Sequence, residues 1–228
     1  MTVASQPDTE PVSLRERKKR ATRLLLRRTA FELVAERGFP HVTVEDIATA
    51  ADVSARTFFN YFPTKEAAFF GLHPDRVDEL RAAIVNTLPD ESAFDAVRTV
   101  MTGVAQGIVD DLSDLGGDPI DWLVLMKTAR ADPQLRAAQA AQMAQLERAV
   151  ADGLALRLEA DQERDPYPGL LAAVAIATVR SGLIFWANSG GVVPLDQYVD
   201  LAFRALKDGL PEHSDLRHAD WKLAGKGI

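Results

Sequence analysis

The stretch "SARTFFNYFPTKE", residues 54–66, places three phenylalanines and a tyrosine beside an arginine, an asparagine and a lysine. Phe58 and Phe62 are four residues apart, so they share one face of a helix. The opposite face of the same helix carries three other side chains: Arg56, Phe59 and Asn60. The pattern predicts a short helix with an apolar face toward a core and a mixed aromatic and polar face toward a partner.

A second short helix precedes this one. In "TVED", residues 43–46, Thr43 is placed to cap the helix and Asp46 to return a hydrogen bond from the third helical position. Ser54 is a favourable cap for the following helix. Two short helices joined by a tight turn and packed on a longer helix form a helix-turn-helix, whose second helix fits the DNA major groove. Short helical corners also occur in many other folds, so this pattern alone is weak evidence for DNA binding. The outward face with Arg56, Phe59 and Asn60 is what favours the DNA-binding hypothesis.

The rest of the chain predicts an all-α fold. Strand signals are weak, and no Asn-Gly or Asp-Gly turn joins two alternating apolar runs. A first helix runs from about residue 15 to Gly38, a residue typical of helix ends. Proline and glycine clusters then divide the chain into further helical blocks. We expect these blocks at residues 64–88, 92–114, 119–130, 133–162, 168–188 and 194–209.

Composition excludes several classes of site. The chain has 228 residues, 47% of them hydrophobic, which suffices for one large domain or two small ones. It has no cysteine, and its four histidines lack metal-ligand spacing, so we expect no metal site and no cofactor. We find no signal-peptide pattern at the N-terminus and no uncharged apolar run of membrane-spanning length. A cytoplasmic protein without membrane association is therefore expected.

The net charge of −7 is distributed unevenly. Residues 11–71 carry 11 Lys and Arg against 7 Asp and Glu, whereas residues 72–228 carry 15 against 24. A basic head on an acidic body is typical of a polyanion-binding end, although a solvated helix face is the alternative explanation. The basic run "RERKKRATR" precedes the apolar part of the first helix, and we expect Arg17, Lys18 and Arg20 to contact the DNA backbone or an adjacent minor groove.

Residues 30–69, "AFELVAERGFPHVTVEDIATAADVSARTFFNYFPTKEAAF", carry a specific likeness. The helix end at Gly38, Thr43, and the motifs "IA", "AA.VS" and "FF.YF..KE" stand at the spacing found in one family. The segment resembles the DNA-binding domain of the TetR family of bacterial transcriptional regulators. The remaining residues are similar to that family only in the number and layout of helices, because its ligand domains diverge widely.

The resemblance implies roles for individual residues. A guanidinium can engage guanine O6 and N7 together, so Arg56 is the candidate for base reading. Lys65 corresponds to a phosphate-binding lysine at a helix N-terminus. Phe59 and Asn60 stand where many members have tyrosine or histidine, so operator preference cannot be copied from relatives. The full set of expected DNA contacts in this segment is Thr43, Ser54, Ala55, Arg56, Thr57, Phe59, Asn60, Tyr61 and Lys65, each with an ordinary exposed side chain as its alternative.

The same resemblance implies a C-terminal domain that binds a small molecule and dimerises through its last two long helices. Here those are the blocks near 168–188 and 194–209. Large apolar residues suit an adaptable pocket, although a methionine or tryptophan at helical spacing is more often plain core. Arg180 interrupts an apolar helix and is placed to bind an anionic ligand group or to pair across the dimer. The candidate pocket residues are Phe94, Met101, Trp122, Leu125, Met126, Met143, Arg180, Phe185 and Trp186.

These observations predict a dimeric, ligand-responsive repressor that binds a palindromic double-stranded DNA operator and is released by a small apolar or amphipathic inducer, such as a drug-like compound, a metabolite or an acyl-CoA. The alternatives are an activator or a regulator controlled by a protein partner. No glycine-rich phosphate loop, "HExxH" or "GxSxG" is present, so an enzyme is not expected. The expected segments are a disordered arm (1–14), a helix-turn-helix domain (15–62), a ligand-binding and dimerisation domain (63–210) and a tail that is partly non-native (211–228).

Overall fold

The computed structural model describes residues 14–70, 75–114 and 132–210. Within these ranges the chain is helical and contains no strand. A 3₁₀ turn, Phe39–His41, connects the first two helices. The α-helices are α1 (Leu14–Arg37), α2 (Val44–Ala50), α3 (Ala55–Phe59), α4 (Lys65–Phe70), α5 (Asp75–Val85), α6 (Ala93–Asp114), α7 (Pro133–Leu158), α8 (Tyr167–Asn188) and α9 (Leu195–Lys207).

A first hydrophobic cluster is formed by the helices α1, α2, α3 and α4. Positions on α1 spaced three and four residues apart form one apolar face, against which α2 and α4 pack, while α3 packs on α2 and adds Phe58 to the cluster. Leu135 of α7 also enters this cluster and is completely buried. We call the cluster the N-terminal cluster; its buried members are Leu26, Ala30, Leu33, Val34, Phe39, Val42, Ile47, Ala48, Ala51, Phe58, Phe62, Ala68, Phe69 and Leu135.

A second cluster holds α5 to α9 together. The most extensive packing is between α5 and α7, and Gly153 allows it, because a Cβ at this position would lie 3.0 Å from the Arg81 carbonyl oxygen and 3.0 Å from Ile84 Cβ. α8 packs on α7, and α9 packs on α6 and α8. We call this the C-terminal cluster; its completely buried members are Ile84, Val97, Ala105, Val150, Leu154, Ala172, Ala175, Leu195, Val199 and Phe203.

The connection between α5 and α6 is fixed by one arginine. Arg157 of α7 donates hydrogen bonds to the carbonyl oxygens of Leu88 (2.7 Å), Glu91 (2.6 Å) and Thr87 (3.3 Å). These carbonyls follow the last turn of α5, where no intrahelical donor is available to them. The guanidinium therefore anchors the loop that directs the chain from α5 into α6.

The all-α prediction is confirmed within the described ranges. Two predicted blocks differ in detail. The block at 133–162 ends at Leu158, because Glu159 adopts a left-handed backbone conformation with φ of 51°. The block at 64–88 contains two helices, α4 and α5, separated by residues outside the described ranges. The predicted helix at 119–130 and the terminal segments 1–13 and 211–228 also lie outside them.

Candidate DNA-binding surface and regulatory half

α2 begins with the capping box that the sequence predicts. The Asp46 backbone N–H donates to Thr43 Oγ1 at 3.1 Å, and the Thr43 backbone N–H donates to Asp46 Oδ2 at 2.8 Å. The Thr43 hydroxyl also donates to the same carboxylate. These hydrogen bonds from Thr43 lower the pKa of the Asp46 carboxyl below its ordinary value of 3.8. The entry of α2 is thus fixed by local contacts, and Thr43 remains exposed beside it.

α3 has two chemically different faces. Phe58 and Phe62 are completely buried in the N-terminal cluster. Arg56 and Asn60 are exposed, and Phe59 keeps 54% of its surface exposed while its ring contacts Phe58 edge-on at 5.6 Å. Phe59 therefore stands beside Arg56 and Asn60 on the exposed face of α3, where a partner can reach all three side chains.

The start of α3 is held by Ser54. Its side-chain oxygen accepts a hydrogen bond from the Thr57 backbone N–H at 3.0 Å and lies 2.9 Å from the Thr57 hydroxyl. Ser54 is exposed, whereas Ala55 and Thr57 are half-buried. Part of the hydrogen-bonding capacity of Thr57 is therefore used inside the protein.

Lys65 has protein partners of its own. Its ammonium donates to the carbonyl oxygens of Phe39, the first residue of the 3₁₀ turn (3.1 Å), and of Val42, which follows the turn (2.9 Å). It also lies 4.2 Å from the centroid of the Phe39 ring. Two of its three donors hold α4 to the segment before α2, so only one remains for a DNA phosphate. The predicted phosphate contact of Lys65 remains a prediction.

An open cleft of about 680 Å³ lies between the start of α1 and the end of α3. Lys18 lines it, whereas Arg17 and Arg20, also predicted as DNA contacts, are exposed and are not among its lining residues. The lining residues are Leu14, Arg15, Lys18, Lys19, Thr57, Asn60 and Tyr61.

A carboxylate shared by two arginines connects the N-terminal and C-terminal clusters. Asp111 Oδ2 of α6 lies 2.7 Å from a guanidinium nitrogen of Arg76 on α5 and 3.4 Å from one of Arg27 on α1. Burial lowers the pKa of the Arg27 guanidinium, and Asp111 partly offsets that effect. The Nε atoms of Arg23 and Arg27 are buried without a hydrogen-bond partner. Positive charge therefore exceeds negative charge among these four side chains.

The predicted pocket residues that the structure describes have different surroundings. Met101 and Trp186 are buried in the C-terminal cluster, and Phe94 packs edge-on against Phe203 at 5.6 Å. Met143 is half-buried and Arg180 is exposed. Trp122, Leu125 and Met126 lie outside the described residues. The ligand-lining roles therefore stay predictions.

α8 and α9 share a partly apolar outer surface. The Phe185 and Tyr198 rings stack at 4.9 Å, and Gly182 makes room for that stack, because a Cβ there would lie 2.8 Å from Tyr198 Cδ1. Leu170 and Phe185 are 63% and 41% exposed. α8 is long and apolar enough to cross a membrane by length and composition, but 44% of its apolar stretch is buried in the molecule. One side of α8 belongs to the C-terminal cluster, and its other side carries exposed apolar residues such as Leu170 and Phe185.

Comparison with known proteins identifies this architecture. Residues 26–70 match the family described as bacterial regulatory proteins, tetR family, and residues 91–211 match the family described as the MftR C-terminal domain. The HTH-type transcriptional regulator TcmR of Streptomyces glaucescens is 32% identical over 219 residues, which cover 93% of this chain and 91% of that protein. The chain belongs to the TetR family of bacterial transcriptional regulators.

Further relatives agree with this assignment to the TetR family. The HTH-type transcriptional repressor DhaR of a Mycobacterium species, strain GP1, is 26% identical over 184 residues, covering 77% of this chain and 87% of that protein. A solved complex of SmeT with triclosan shares the fold, with a TM-score of 0.53, 18% identity, and coverage of 84% of this chain and 98% of that one. The curated relatives are named as transcriptional regulators, and this chain is a DNA-binding regulator of the same family.

Two sets of residues in this TetR-family protein were not predicted individually from the sequence. Arg15 and Lys19 belong to the basic run, and their helical spacing from Lys18 is the signal that places all three on one face. Asp111 and its two arginines had no such signal, because 84 and 35 residues separate the partners.

Proposed function

We propose that the protein is a dimeric repressor that binds a palindromic operator through α3 and is released by a small apolar or amphipathic inducer. The observation that carries this proposal is the two-faced α3. Phe58 and Phe62 fix the helix from behind, so Arg56, Phe59 and Asn60 are presented together on one exposed face. A rigid helix with such a face meets the geometric requirement for reading base edges.

Each exposed side chain on α3 suits a different DNA contact. Arg56 would engage guanine O6 and N7, Phe59 would contact a thymine methyl group or a sugar, and Asn60 would bond to a base or phosphate. The remaining predicted contacts, Thr43, Ser54, Ala55, Thr57, Tyr61 and Lys65, lie around α3, where backbone phosphates would pass. These contacts would position the helix without specifying sequence.

Dimerisation is proposed through α8 and α9. Their outer surface carries exposed apolar side chains, Tyr167, Leu170 and Phe185 among them, and members of this family form dimers. A two-fold dimer presents two copies of α3 to two half-sites, which predicts an operator with inverted repeats and half-site centres about 34–36 Å apart or a multiple of that distance.

The inducer would act through the helices of the C-terminal cluster. Binding there would favour an arrangement of the two DNA-binding halves that no longer fits successive major grooves. We place the DNA-binding domain at 15–62, the ligand-binding and dimerisation domain at 63–210, and the protein in the cytoplasm, where its operator is accessible. The name of DhaR, a repressor, supports repression over activation.

Selection from random duplexes tests the DNA-binding part of the proposal. The purified chain is incubated with a pool of randomised double-stranded DNA, and the retained molecules are sequenced over several rounds. Enrichment of one inverted repeat is expected. Recovery of no common motif, or of a single unrepeated site, would contradict the palindromic operator.

Release by an inducer requires a second measurement. Native mass spectrometry of the purified protein detects any bound small molecule, and the identified compound is then titrated into the protein–operator complex. Loss of operator binding at saturating compound is expected for an inducer, and unchanged operator affinity would contradict this mechanism.

A further inference from the structure

The cleft between α1 and α3 is lined by two structural elements that meet beside the base-reading face. Arg15, Lys18 and Lys19 come from the first turns of α1, whereas Asn60 and Tyr61 directly follow α3. Asn60 belongs to both surfaces, because it lines the cleft and is also exposed beside Phe59. A ligand that extends along the exposed face of α3 beyond Asn60 therefore enters the cleft.

Helical geometry divides the basic run into two groups. At 100° per residue, positions 15, 18 and 19 fall within an arc of about 100°, and positions 17 and 20 lie about 150° from its centre. The cleft lining agrees with this division, since it includes Arg15, Lys18 and Lys19 but neither Arg17 nor Arg20. The basic run thus has a face toward α3 and a face away from it.

The chemistry of the cleft favours an extended polyanion. Among the described residues that line the cleft, three side chains are cationic and none is acidic. The remaining polar groups among them are the hydroxyls of Thr57 and Tyr61 and the amide of Asn60. The cleft is an open groove, so it suits a chain that passes through it rather than an enclosed small molecule. Positive charge at the N-terminal end of α1 is supplemented by that helix's dipole.

We propose that this cleft binds the phosphodiester backbone flanking each operator half-site, with Arg15 and Lys18 contacting the phosphates. The inference rests on the proposed DNA-binding function and extends it, because it assigns a second contact region beyond the base-reading face. Arg17 and Arg20 have no part in it. Since phosphates carry no sequence information, the cleft sets affinity and footprint length, and α3 sets sequence preference.

Two charge-matched variants test the proposal. Arg15→Gln/Lys18→Gln removes two cations from the cleft face, and Arg17→Gln/Arg20→Gln removes two from the same turns of the other face. Operator affinity of each full-length protein is measured by fluorescence anisotropy at several salt concentrations, using the duplex found by selection. Thermal unfolding followed by circular dichroism verifies that both variants are folded.

The expected result follows from counterion release. Each lost phosphate contact lowers the magnitude of the log–log salt slope by about 0.9, so four lost contacts in a dimer lower it by about 3.6. The Arg15→Gln/Lys18→Gln protein should show this decrease for operator and for unrelated DNA alike, while the other variant keeps a slope near that of the wild type. Equal slopes for the two variants would overturn the proposal.

Replacing charged phosphodiesters with uncharged linkages tests whether the phosphate itself is the group that the cleft binds. Duplexes with methylphosphonates at the flanking positions should weaken binding by the wild-type protein and leave the Arg15→Gln/Lys18→Gln variant nearly unaffected. An equal loss for both proteins would overturn the cleft contact while leaving the proposed function intact. If selection recovers no operator at all, the proposed function fails, and the cleft proposal fails with it.

Discussion

At the scale of single residues, Arg56 and Lys65 carry the same charge but have different surroundings. Arg56 is exposed on α3, whereas the Lys65 ammonium already donates to two backbone carbonyls. Replacing Arg56 with alanine should therefore weaken operator binding by about 1–3 kcal/mol and relax preference at one base pair, without loss of stability. Competition between operator and single-base variants measures this. An unchanged base preference would exclude Arg56 as a base reader.

Lys65→Met should act first on stability. The substitution keeps much of the apolar stem but removes two hydrogen bonds to the Phe39 and Val42 carbonyls, so we expect a loss of about 1–3 kcal/mol in the free energy of unfolding. Urea unfolding measures it, with Lys18→Met as the control at an exposed lysine. A variant of unchanged stability that lost operator affinity would instead support a purely phosphate-binding role.

At the scale of elements, the α2 capping box should make the free energy of unfolding depend on pH in the acidic range. The hydrogen bonds from Thr43 lower the pKa of Asp46 in the folded protein below 3.8. The Asp46 carboxylate therefore stabilises the folded protein fully above pH 3.8, and this stabilisation is lost as the pH falls through the pKa of the folded state. Asp46→Asn should therefore destabilise the protein at neutral pH, and the difference from wild type should shrink below pH 3.8. Unfolding midpoints in urea between pH 7 and pH 2.5 measure this; a constant difference would contradict it.

The contact between α8 and α9 depends on Gly182. A methyl group there would lie 2.8 Å from Tyr198 Cδ1, so Gly182→Ala should displace the Tyr198 ring and disturb its stack on Phe185. Because that stack lies on the proposed dimer surface, we expect weaker self-association, measured by sedimentation velocity over a range of concentrations. Gly103→Ala is the control, since a Cβ there meets nothing within 4 Å. Equal association of both variants would argue against this surface.

Helices and caps were predictable because their signals are local. Thr43 and Asp46 are three residues apart, and the buried and exposed faces of α3 follow from spacings of four residues. The partners of Lys65 lie 23 and 26 residues away, so no local pattern reveals them. Apolar side chains carry equally little information about a pocket: Met101 suits a ligand site by composition, yet it is 1% exposed within the core.

At the scale of the whole molecule, Asp111 joins the DNA-binding and regulatory halves. Its carboxylate pairs with Arg27 of α1 and Arg76 of α5, while Asp111 itself lies on α6. A displacement of α6 would therefore change how α1 is held. Leu135 of α7, buried in the N-terminal cluster, provides a second apolar connection between the halves.

Asp111→Asn tests whether this ion pair transmits a signal. The variant removes the carboxylate that pairs with two partly buried guanidinium groups, so we expect a loss of about 1–3 kcal/mol in the free energy of unfolding. The loss should be smaller than for a fully buried pair, because the carboxylate is 23% exposed. Asp110→Asn is the matched control, because the neighbouring carboxylate only accepts a hydrogen bond from Gln106 on an exposed surface.

Hydrogen exchange separates transmission from simple destabilisation. If Asp111 holds α1 against α6, exchange in α1 should rise in Asp111→Asn more than exchange in α8, and operator affinity should fall while base preference stays unchanged. The reason is that the ion pair orients the whole DNA-binding half and touches none of the proposed base-reading residues. A uniform rise in exchange over all helices would show that Asp111 contributes only to global stability, and the proposed link between the halves would then be wrong.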